Sequence, residues 1–346
     1  MAGLHLCCMR RPILPTETYV EGILSGNRVL LGQAITLVES ARPEHQIRAR
    51  EVIAKLLMEA PPIQPSMRVA ITGAPGAGKS TFIEALGNLL TGQGRKVAVL
   101  AIDPSSALTR GSILGDKTRM ERLSTSEQAF VRPSPAGDAL GGVARKTRET
   151  ILLVEAAGYD TVLVETVGVG QSEMAAKYMT DLFLLLLLPG AGDELQGIKR
   201  GIVEMADVLV VNKADGDRVK TANQARAHYL NAVHLFPARP NGWPPRVLTC
   251  SAETGVGIAE MWETIGEFRE KGLQNGFFQE NRKQQAAYWL QEALKQGLES
   301  WFQNHTAAQT VLKAVETEVL AGRMSPFAAA DEVLKKVFTF LPVPPQ

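Results

Sequence analysis

Eight consecutive residues of the chain form a pattern that is typical of phosphate-binding loops. Residues 73–80 read Gly-Ala-Pro-Gly-Ala-Gly-Lys-Ser, with a threonine behind them. In such a loop the glycines let successive backbone N–H groups converge on an anion, the lysine reaches the terminal phosphates, and the serine hydroxyl ligates Mg²⁺. The pattern predicts a nucleoside triphosphate site. The predicted contacts come from Gly73, Ala74, Pro75, Gly76, Ala77, Gly78, Lys79, Ser80 and Thr81.

The surroundings of this loop support that prediction. Residues 67–71 before it are typical of a short buried strand, and residues 80–90 after it carry apolar side chains at helical spacing. A strand, a glycine-rich loop and a helix are the setting that the pattern requires, because the helix N-terminus adds a partial positive charge beside the phosphates. The alternative is a glycine turn with an incidental lysine, and this context argues against it.

A second pattern indicates which base the nucleotide carries. Residues 212–215 read Asn-Lys-Ala-Asp and directly follow a predicted strand. The carboxylate of Asp215 can accept hydrogen bonds from both the ring N–H and the exocyclic amino group of guanine, whereas adenine offers no amino group there. Lys213 would lie along the base plane, and Asn212 would connect this loop to the phosphate loop. The pattern therefore predicts GTP and GDP as ligands, in preference to ATP.

The end of the last predicted strand supplies a further contact to the base. Ser251 and Ala252 follow the strand predicted at 246–250. A Ser-Ala pair at this position fits the backbone contact that GTPases make to guanine O6. These two residues complete the predicted guanine site.

Acidic residues at predicted strand ends are candidates for holding Mg²⁺ together with Ser80. Glu165 ends a buried strand, at a position where most GTPases carry aspartate, and Gly168 behind it would give a backbone N–H to the γ-phosphate. Asp103 closes another strand, and Asp116 lies in the loop that follows. The alternative use of Asp103 is to cap the next turn. For Asp116 the residues alone favour neither use.

The predicted switch segments indicate slow turnover. Val169 follows Gly168, so the glutamine that positions the attacking water in Ras-type enzymes is missing there, and Gln171 comes two positions later. We therefore expect slow intrinsic hydrolysis that a partner accelerates. A second loop, residues 189–200, combines glycines with both charge signs, as is typical of a loop that moves with nucleotide state. A helix start capped by Asp193 is a compatible interpretation of that loop.

Composition and hydropathy narrow the class of protein. The chain has 346 residues and a net charge of +1, which gives no electrostatic reason to expect nucleic acid or an anionic membrane as partner. The longest apolar run, residues 182–188, is far shorter than the ~20 residues that span a bilayer, and it predicts a central buried strand. The three cysteines imply no disulfide framework, and five scattered histidines suggest no structural zinc site. We expect a cytoplasmic protein without membrane insertion.

The order of predicted elements defines the fold class. Strands are predicted at 68–72, 97–103, 129–132, 161–166, 182–188, 207–212 and 246–250, with helices between most of them. Such alternation predicts an α/β P-loop NTPase fold, in which helices flank a mostly parallel central sheet and ligands bind at the carboxyl ends of the strands. We expect a helical N-terminal extension over 1–62, a GTPase domain over 63–273 and a helical C-terminal dimerisation arm over 274–346. The longest helix of that arm is predicted at 284–302.

Taken together, these motifs resemble one family, the MeaB/ArgK/MMAA GTPases. The resemblance runs from about residue 18 to the C-terminal helices. The motifs that carry it are Gly-Ala-Pro-Gly-Ala-Gly-Lys-Ser-Thr, Ala-Ile-Asp-Pro-Ser-Ser, Gly-Asp-Lys-Thr-Arg-Met, Glu-Thr-Val-Gly-Val-Gly-Gln-Ser-Glu, Pro-Gly-Ala-Gly-Asp-Glu-Leu-Gln-Gly-Ile-Lys and Asn-Lys-Ala-Asp-Gly-Asp.

The resemblance implies a GTPase that acts as a chaperone for adenosylcobalamin-dependent methylmalonyl-CoA mutase. Such proteins protect the mutase from inactivation and help to load or exchange its cofactor, and they are homodimers through C-terminal helices. By motif, the resemblance assigns Lys79 and Ser80 to phosphate and Mg²⁺, and Lys199 to a third switch loop. It places Asp103, Asp116 and Glu165 in the metal and switch machinery. Among these residues, Lys79, Asp103, Glu165 and Lys199 are the expected catalytic set.

Two other functions remain as alternatives. One is a kinase or ATPase of lysine, arginine and ornithine transport, an older label for the family, which conflicts with the guanine-reading residues 212–215. The other is a metallochaperone GTPase for nickel or cobalt. Metallochaperones of that kind carry histidine-rich or Cys-x-Cys-Cys segments, and this sequence has neither.

Overall fold

The structure is a computed structural model, and it describes residues 12–59, 66–102, 120–133, 140–166, 172–190, 200–237, 239 and 241–340. Seven parallel strands form one sheet in the order β3-β2-β4-β1-β5-β6-β7. The strands are β1 (Met67–Gly73), β2 (Val97–Ile102), β3 (Ala129–Arg132), β4 (Thr161–Thr166), β5 (Leu182–Leu187), β6 (Val208–Val211) and β7 (Arg246–Thr249). The predicted α/β class and the seven predicted strands are confirmed.

Helices connect the strands and extend both ends of the chain. They are α1 (Thr16–Leu24), α2 (Arg28–Glu39), α3 (Pro43–Glu59), α4 (Lys79–Gly92), α5 (Glu121–Thr125), α6 (Leu140–Ala156), α7 (Ser172–Lys177), α8 (Arg200–Met205), α9 (Val219–Val233), α10 (Ile258–Gln274), α11 (Phe277–Asn304), α12 (Thr306–Leu320) and α13 (Pro326–Val337). None of these helices is long and apolar enough to cross a membrane.

The interior strands are buried along their whole length because helices cover both faces of the sheet. Every residue of β1, β2, β4, β5 and β6 is buried. The strands of an all-parallel sheet are mostly apolar, since neither face of the sheet meets water. The run Leu182–Leu187 therefore lies in the middle of the sheet as β5, between β1 and β6, as its sequence predicts. On one face Phe82 and Leu86 of α4 pack into the same core as Met261 and Phe268 of α10.

Two compact units divide the chain, Met1–Gln285 and Ala286–Gln346. The first contains the sheet, and α1, α2 and α3 pack on α6 within it. The second has a small core of its own, formed by Ala308, Val315, Ala329, Val333 and Val337.

Helix α11 is longer than the sequence predicts. It begins at Phe277, seven residues before the predicted start. Asn275 accepts a hydrogen bond from the Phe277 N–H at 3.0 Å, and Gly276 between them has a positive φ of 73°. A polar acceptor and a glycine thus separate α10 from α11 by two residues. The spacing of apolar residues does not predict this start. Phe277 and Phe278 pack against Phe268 of α10 in the core, whereas the prediction was based on the apolar residues of the later turns.

A buried network of charges occupies the amino edge of the sheet. Arg68 in β1 pairs with Glu155 of α6 through Nε and Nη2, each at 2.6 Å. Arg282 of α11 pairs with Asp181 in the same two-point manner, at 2.8 and 2.6 Å. Burial favours the neutral form of Glu155, but the charge and hydrogen bonds of Arg68 outweigh burial and hold the pKa of this carboxyl below its ordinary value.

Arg148 of α6 is a third guanidinium beside these two pairs, in a less favourable environment. Within the described part of the chain, its buried Nη1 has no hydrogen-bond partner. Burial, with the Arg68 charge second, lowers the pKa of Arg148 to about 10, although Glu155 and Asp181 oppose that shift. A base whose pKa falls on folding binds its proton less well in the folded state. Arg148 therefore costs stability at neutral pH, and this cost fades only as the pH rises through the lowered pKa.

Substitutions of two of these arginines should have opposite effects on stability. Arg148→Met should raise the free energy of unfolding by about 1 kcal/mol, because it removes an incompletely paired charge and keeps an apolar stem. Arg68→Met should lower it by about 3 kcal/mol, because Glu155 then stays buried without its cation. Urea unfolding at neutral pH measures both values. Equal destabilisation by the two substitutions would contradict this assignment.

Candidate functional site

The phosphate loop joins β1 to α4 at the carboxyl edge of the sheet. Lys79 Nζ donates to the carbonyl oxygens of Gly73 at 2.8 Å and Ala74 at 3.3 Å, so its side chain lies back across the loop. Burial lowers the pKa of Lys79, while the charges of Glu165 and Glu173 oppose that shift. Lys79, which the sequence assigns to the terminal phosphates, thus has a half-buried ammonium group.

Gly78 is required by both its conformation and its surroundings. Its φ is +86°, in the left-handed region that favours glycine. A Cβ at this position would lie 2.8 Å from Nδ2 of Asn212. The absence of a side chain at Gly78 is therefore what lets the guanine loop approach the phosphate loop.

Asn212 links the phosphate loop to both segments of the predicted guanine site. Its Nδ2 donates to the carbonyl oxygen of Ala77 at 2.8 Å, and its Oδ1 accepts from the Ala252 N–H at 3.0 Å. The Cys250 thiol lies 3.5 Å from the same oxygen. Asn212 is 1% exposed, so these contacts are shielded from water. The connection that the sequence predicts for Asn212 is present.

Asp215 is oriented by two neighbours. Ser251 Oγ donates to its Oδ2 at 2.5 Å, and the Arg218 guanidinium pairs with its Oδ1. The Ser251 hydrogen bond first, and Arg218 second, hold the pKa of Asp215 below its ordinary value. The carboxylate therefore keeps its charge, and with it its capacity to accept hydrogen bonds, further into the acid range than a free aspartate does.

The backbone beside Asp215 is also constrained. Lys213 has a φ of +59°, in a region that non-glycine residues seldom adopt. The Ala214 N–H donates to the carbonyl oxygen of Cys250 at 2.9 Å, which joins this loop to the end of β7. The structure therefore brings residues 212–215 next to Ser251 and Ala252.

Oxygen ligands suited to Mg²⁺ meet beside the phosphate loop. Ser80 Oγ lies 3.3 Å from Glu165 Oε1, and Glu165 is 6% exposed at the end of β4. A hydroxyl and a carboxylate at this spacing are the hard oxygen donors that Mg²⁺ prefers. Behind them Thr166 Oγ1 donates to Thr72 Oγ1 at 2.8 Å, which connects the ends of β4 and β1.

Several predicted residues lie outside the described part of the chain. They include Asp103 and Asp116, which are predicted to hold the metal. They also include Gly168 and Lys199, which are predicted to belong to the switch segments. Val169 and Gln171 also lie there. Their assignments stay predictions.

Three contributors to the site were not singled out by the sequence. Glu173, in the first turn of α7, is 1% exposed and acts on the charge of Lys79. Arg218 pairs with Asp215 from the turn that follows. Thr72, one residue before the phosphate loop, contacts the end of β4. The charge spacing of Asp215 and Arg218, at i and i+3, is a signal that could have indicated this pair.

A phosphate loop between the first strand and helix, joined by Asn212 to a loop shaped to read guanine, places the chain among the P-loop GTPases. The family model described as "Methylmalonyl Co-A mutase-associated GTPase MeaB" matches residues 31–307. The chain belongs to this family and is a GTPase.

Relatives match over most of their length. A protein of Caulobacter vibrioides is 50% identical over 324 residues, which make up 93% of this chain and 98% of that one. The mouse methylmalonic aciduria type A homolog, mitochondrial, is 45% identical over 323 residues, or 91% of this chain and 77% of that one. A solved structure described as LAO/AO transport system kinase has 35% sequence identity and a TM-score of 0.75, with coverage of 94% of this chain and 99% of that chain.

Asp215→Asn tests the base-reading prediction. We expect the affinity for GTP to fall about 100-fold, since an amide cannot replace the two hydrogen bonds that the carboxylate accepts. The affinity for xanthosine triphosphate should rise, because the extra carbonyl of xanthine can accept from the new amide. Competition binding against a fluorescent nucleotide measures both. Asp217→Asn removes an exposed charge two residues away and is the matched control. Retained GTP preference in Asp215→Asn would exclude this residue as the base reader.

Proposed function

We propose that this GTPase is a chaperone of an adenosylcobalamin-dependent methylmalonyl-CoA mutase, which it protects or reactivates and whose cofactor loading it gates. The observation that carries the proposal is the family match over residues 31–307, whose printed description names the mutase. The mouse relative is named for methylmalonic aciduria, which supports the same partner. The contacts of Asn212 support GTP as the nucleotide that such a chaperone would use.

The proposed chemistry is hydrolysis of GTP to GDP and phosphate with Mg²⁺ bound. Ser80 and Glu165 would hold the ion, and Asp103 and Asp116 are proposed as further ligands. Bound Mg²⁺ would neutralise charge on the β- and γ-phosphates. Lys79 would leave the Gly73 carbonyl oxygen to contact the terminal phosphates. Its half-buried ammonium would then face charge that water screens only weakly, which strengthens the attraction.

The remaining proposed roles concern the response to nucleotide. Gly168 would contact the γ-phosphate, and Lys199 would act from the third switch loop. With Val169 after Gly168, we propose slow intrinsic hydrolysis that the mutase accelerates.

We also propose the cytoplasm as the compartment. A reducing compartment suits the buried free thiol of Cys250.

Capture from the native cell extract tests the partner. Protein loaded with a non-hydrolysable GTP analogue should retain a cobalamin-dependent mutase, identified by mass spectrometry and by its isomerase activity. Lys79→Ala should lose this analogue-dependent capture, because it cannot hold the terminal phosphates. Mutase missing from the loaded wild-type protein would refute the chaperone role while leaving the GTPase assignment intact.

A kinase or ATPase of basic amino acid transport is the second candidate. The solved structure with TM-score 0.75 carries the description LAO/AO transport system kinase, and that observation favours this candidate. Asp215 and Ser251 argue against it, because the oriented carboxylate would face a lone pair of adenine. Competition of ATP against GTP for binding separates the two candidates. We expect GTP to bind more tightly, and a preference for ATP would favour transport.

We further propose that the protein is a homodimer through its C-terminal helices. Leu290, Leu294 and Leu298 recur every four residues on α11 and are exposed to 63%, 58% and 60%. Trp301, by contrast, packs against the small core of its own unit. A leucine stripe of this kind on a 28-residue helix gains stability when a second copy covers it.

Leu294→Glu should weaken the dimer. Each buried leucine contributes about 1.5–3 kcal/mol, and the substitution acts on both copies, so the dimer dissociation constant should rise about 100-fold or more. Gln296→Glu adds the same charge at a partly exposed position on the opposite face of α11 and should leave the constant within about threefold. Analytical ultracentrifugation measures both. A wild-type protein that sediments as a monomer would exclude the dimer.

A further inference from the structure

Helix α7 lies between the nucleotide site at the carboxyl edge of the sheet and the charged network at the amino edge. It comprises only Ser172–Lys177 and directly follows residues 167–171, where the sequence places the predicted γ-phosphate contact. Six residues make a helix about 9 Å long. Because α7 is so short, the restraints at its two ends lie close to one another.

Helix α7 packs on β1 and β4, the strands that lead to the phosphate loop and to Glu165. Glu173 is 1% exposed, and its charge raises the pKa of the Lys79 ammonium against the effect of burial. A shift of α7 therefore changes the electrostatic environment of the lysine that the sequence assigns to the terminal phosphates. Conversely, the charge of a bound phosphate acts on Glu173.

The other end of α7 is held by α11. Gln285 Nε2 donates to the Thr180 carbonyl oxygen at 2.6 Å and approaches the Lys177 carbonyl oxygen at 3.5 Å. These carbonyls belong to the end of α7 and to the segment that leads into β5. Gln285 is 1% exposed, and its buried Oε1 has no hydrogen-bond partner among the residues that the structure describes. The amide is thus kept in the interior by the bonds of its Nε2 alone.

Arg282, one turn earlier on α11, holds the adjoining residue. Its Nε and Nη2 donate to Asp181 at 2.8 and 2.6 Å, and Nη2 also donates to the Ser66 carbonyl oxygen at 2.6 Å. The Asp181 side chain is completely buried and also accepts from the Arg68 N–H at 3.0 Å. We call this set of four residues, Thr180, Asp181, Arg282 and Gln285, the α7–α11 clamp.

A cavity lies next to the clamp and beside the end of α7. A cavity of about 500 Å³ is lined by Lys177 and Thr180 on one side and by Glu280 and Gln284 of α11 on another. Close-packed interiors resist small displacements, so elements that switch between positions need such space. The clamp borders the cavity and does not fill it.

We propose that Arg282 and Gln285 are positioning residues of the GTPase site. Through the clamp they set the position of α7 on β1 and β4, and through that position they set the preference of the protein between GTP and GDP. By reciprocity, the bound nucleotide changes the hold of α11 on α7. This proposal rests on the GTPase activity of the family and does not depend on the mutase.

The clamp is tested by comparing two adjacent glutamines. Gln285→Met keeps the length and apolar volume of the side chain but removes the donor to Thr180. The ratio of the dissociation constants for GDP and a non-hydrolysable GTP analogue should change about fivefold or more, the lower end of ordinary coupling between sites. Gln284→Met is the matched control, because Gln284 is exposed and its hydrogen bond within the described residues goes to Glu280 on its own helix. Its ratio should stay within about twofold of the wild-type value.

The outcomes separate this proposal from the GTPase assignment. An unchanged ratio in a folded Gln285→Met protein would overturn the clamp while nucleotide binding stands. Failure of the wild-type protein to bind either nucleotide would overturn the assignment itself. A merely structural role for Gln285 would lower thermal stability and weaken both nucleotides equally.

Hydrogen exchange of the unaltered protein tests the proposal without any substitution. Amides of residues 177–181 and 277–285 should differ in protection between the GDP-bound form and the form with the GTP analogue. Amides of α3, which contribute neither to the clamp nor to the nucleotide site, serve as the internal reference. Identical protection of residues 177–181 and 277–285 in the two forms would contradict the proposal.

Discussion

The nucleotide site depends on one buried amide, that of Asn212. The phosphate loop follows β1 and the guanine loop follows β6, with β5 between the two strands. Parallel strands bring these loops to the same edge of the sheet but do not fix the distance between them. The hydrogen bonds of Asn212 to Ala77 and Ala252 supply that distance. Because the amide is shielded from water, losing either partner would leave a buried polar group unpaired.

Ion pairs characterise the amino edge of the sheet, opposite the nucleotide site. Two buried ion pairs lie there, and their residues Arg68, Glu155, Asp181 and Arg282 connect β1, the start of β5, α6 and α11. Buried pairs of this kind add little net stability, since desolvation offsets most of the attraction. They do restrict which arrangements are possible, because moving one partner alone is costly. Charge therefore connects α11 to the start of β5 and to the short helix that precedes it.

Much of the fold was predictable because local patterns and tertiary packing agree. The seven strands follow from apolar runs that a doubly covered parallel sheet requires, and Leu182–Leu187 is the clearest of them. The start of α11 was not predictable from periodicity. Phe277 and Phe278 belong to the α10 side of the core, and a turn built on Asn275 and Gly276 sets the boundary. The role of Arg218 was not predicted either. Its contact with Asp215 depends on the direction in which the two side chains point within one turn.

The sequence by itself determined the fold class, the phosphate loop and the choice of guanine, because each depends on residues within one short segment and on their order along the chain. Only the tertiary structure decided which distant residues meet. It placed Asn212 on Ala77 and Gln285 on Thr180, contacts that span 135 and 105 positions. The physical reason is that such contacts depend on how helices pack on the sheet, and packing is set by many apolar side chains together.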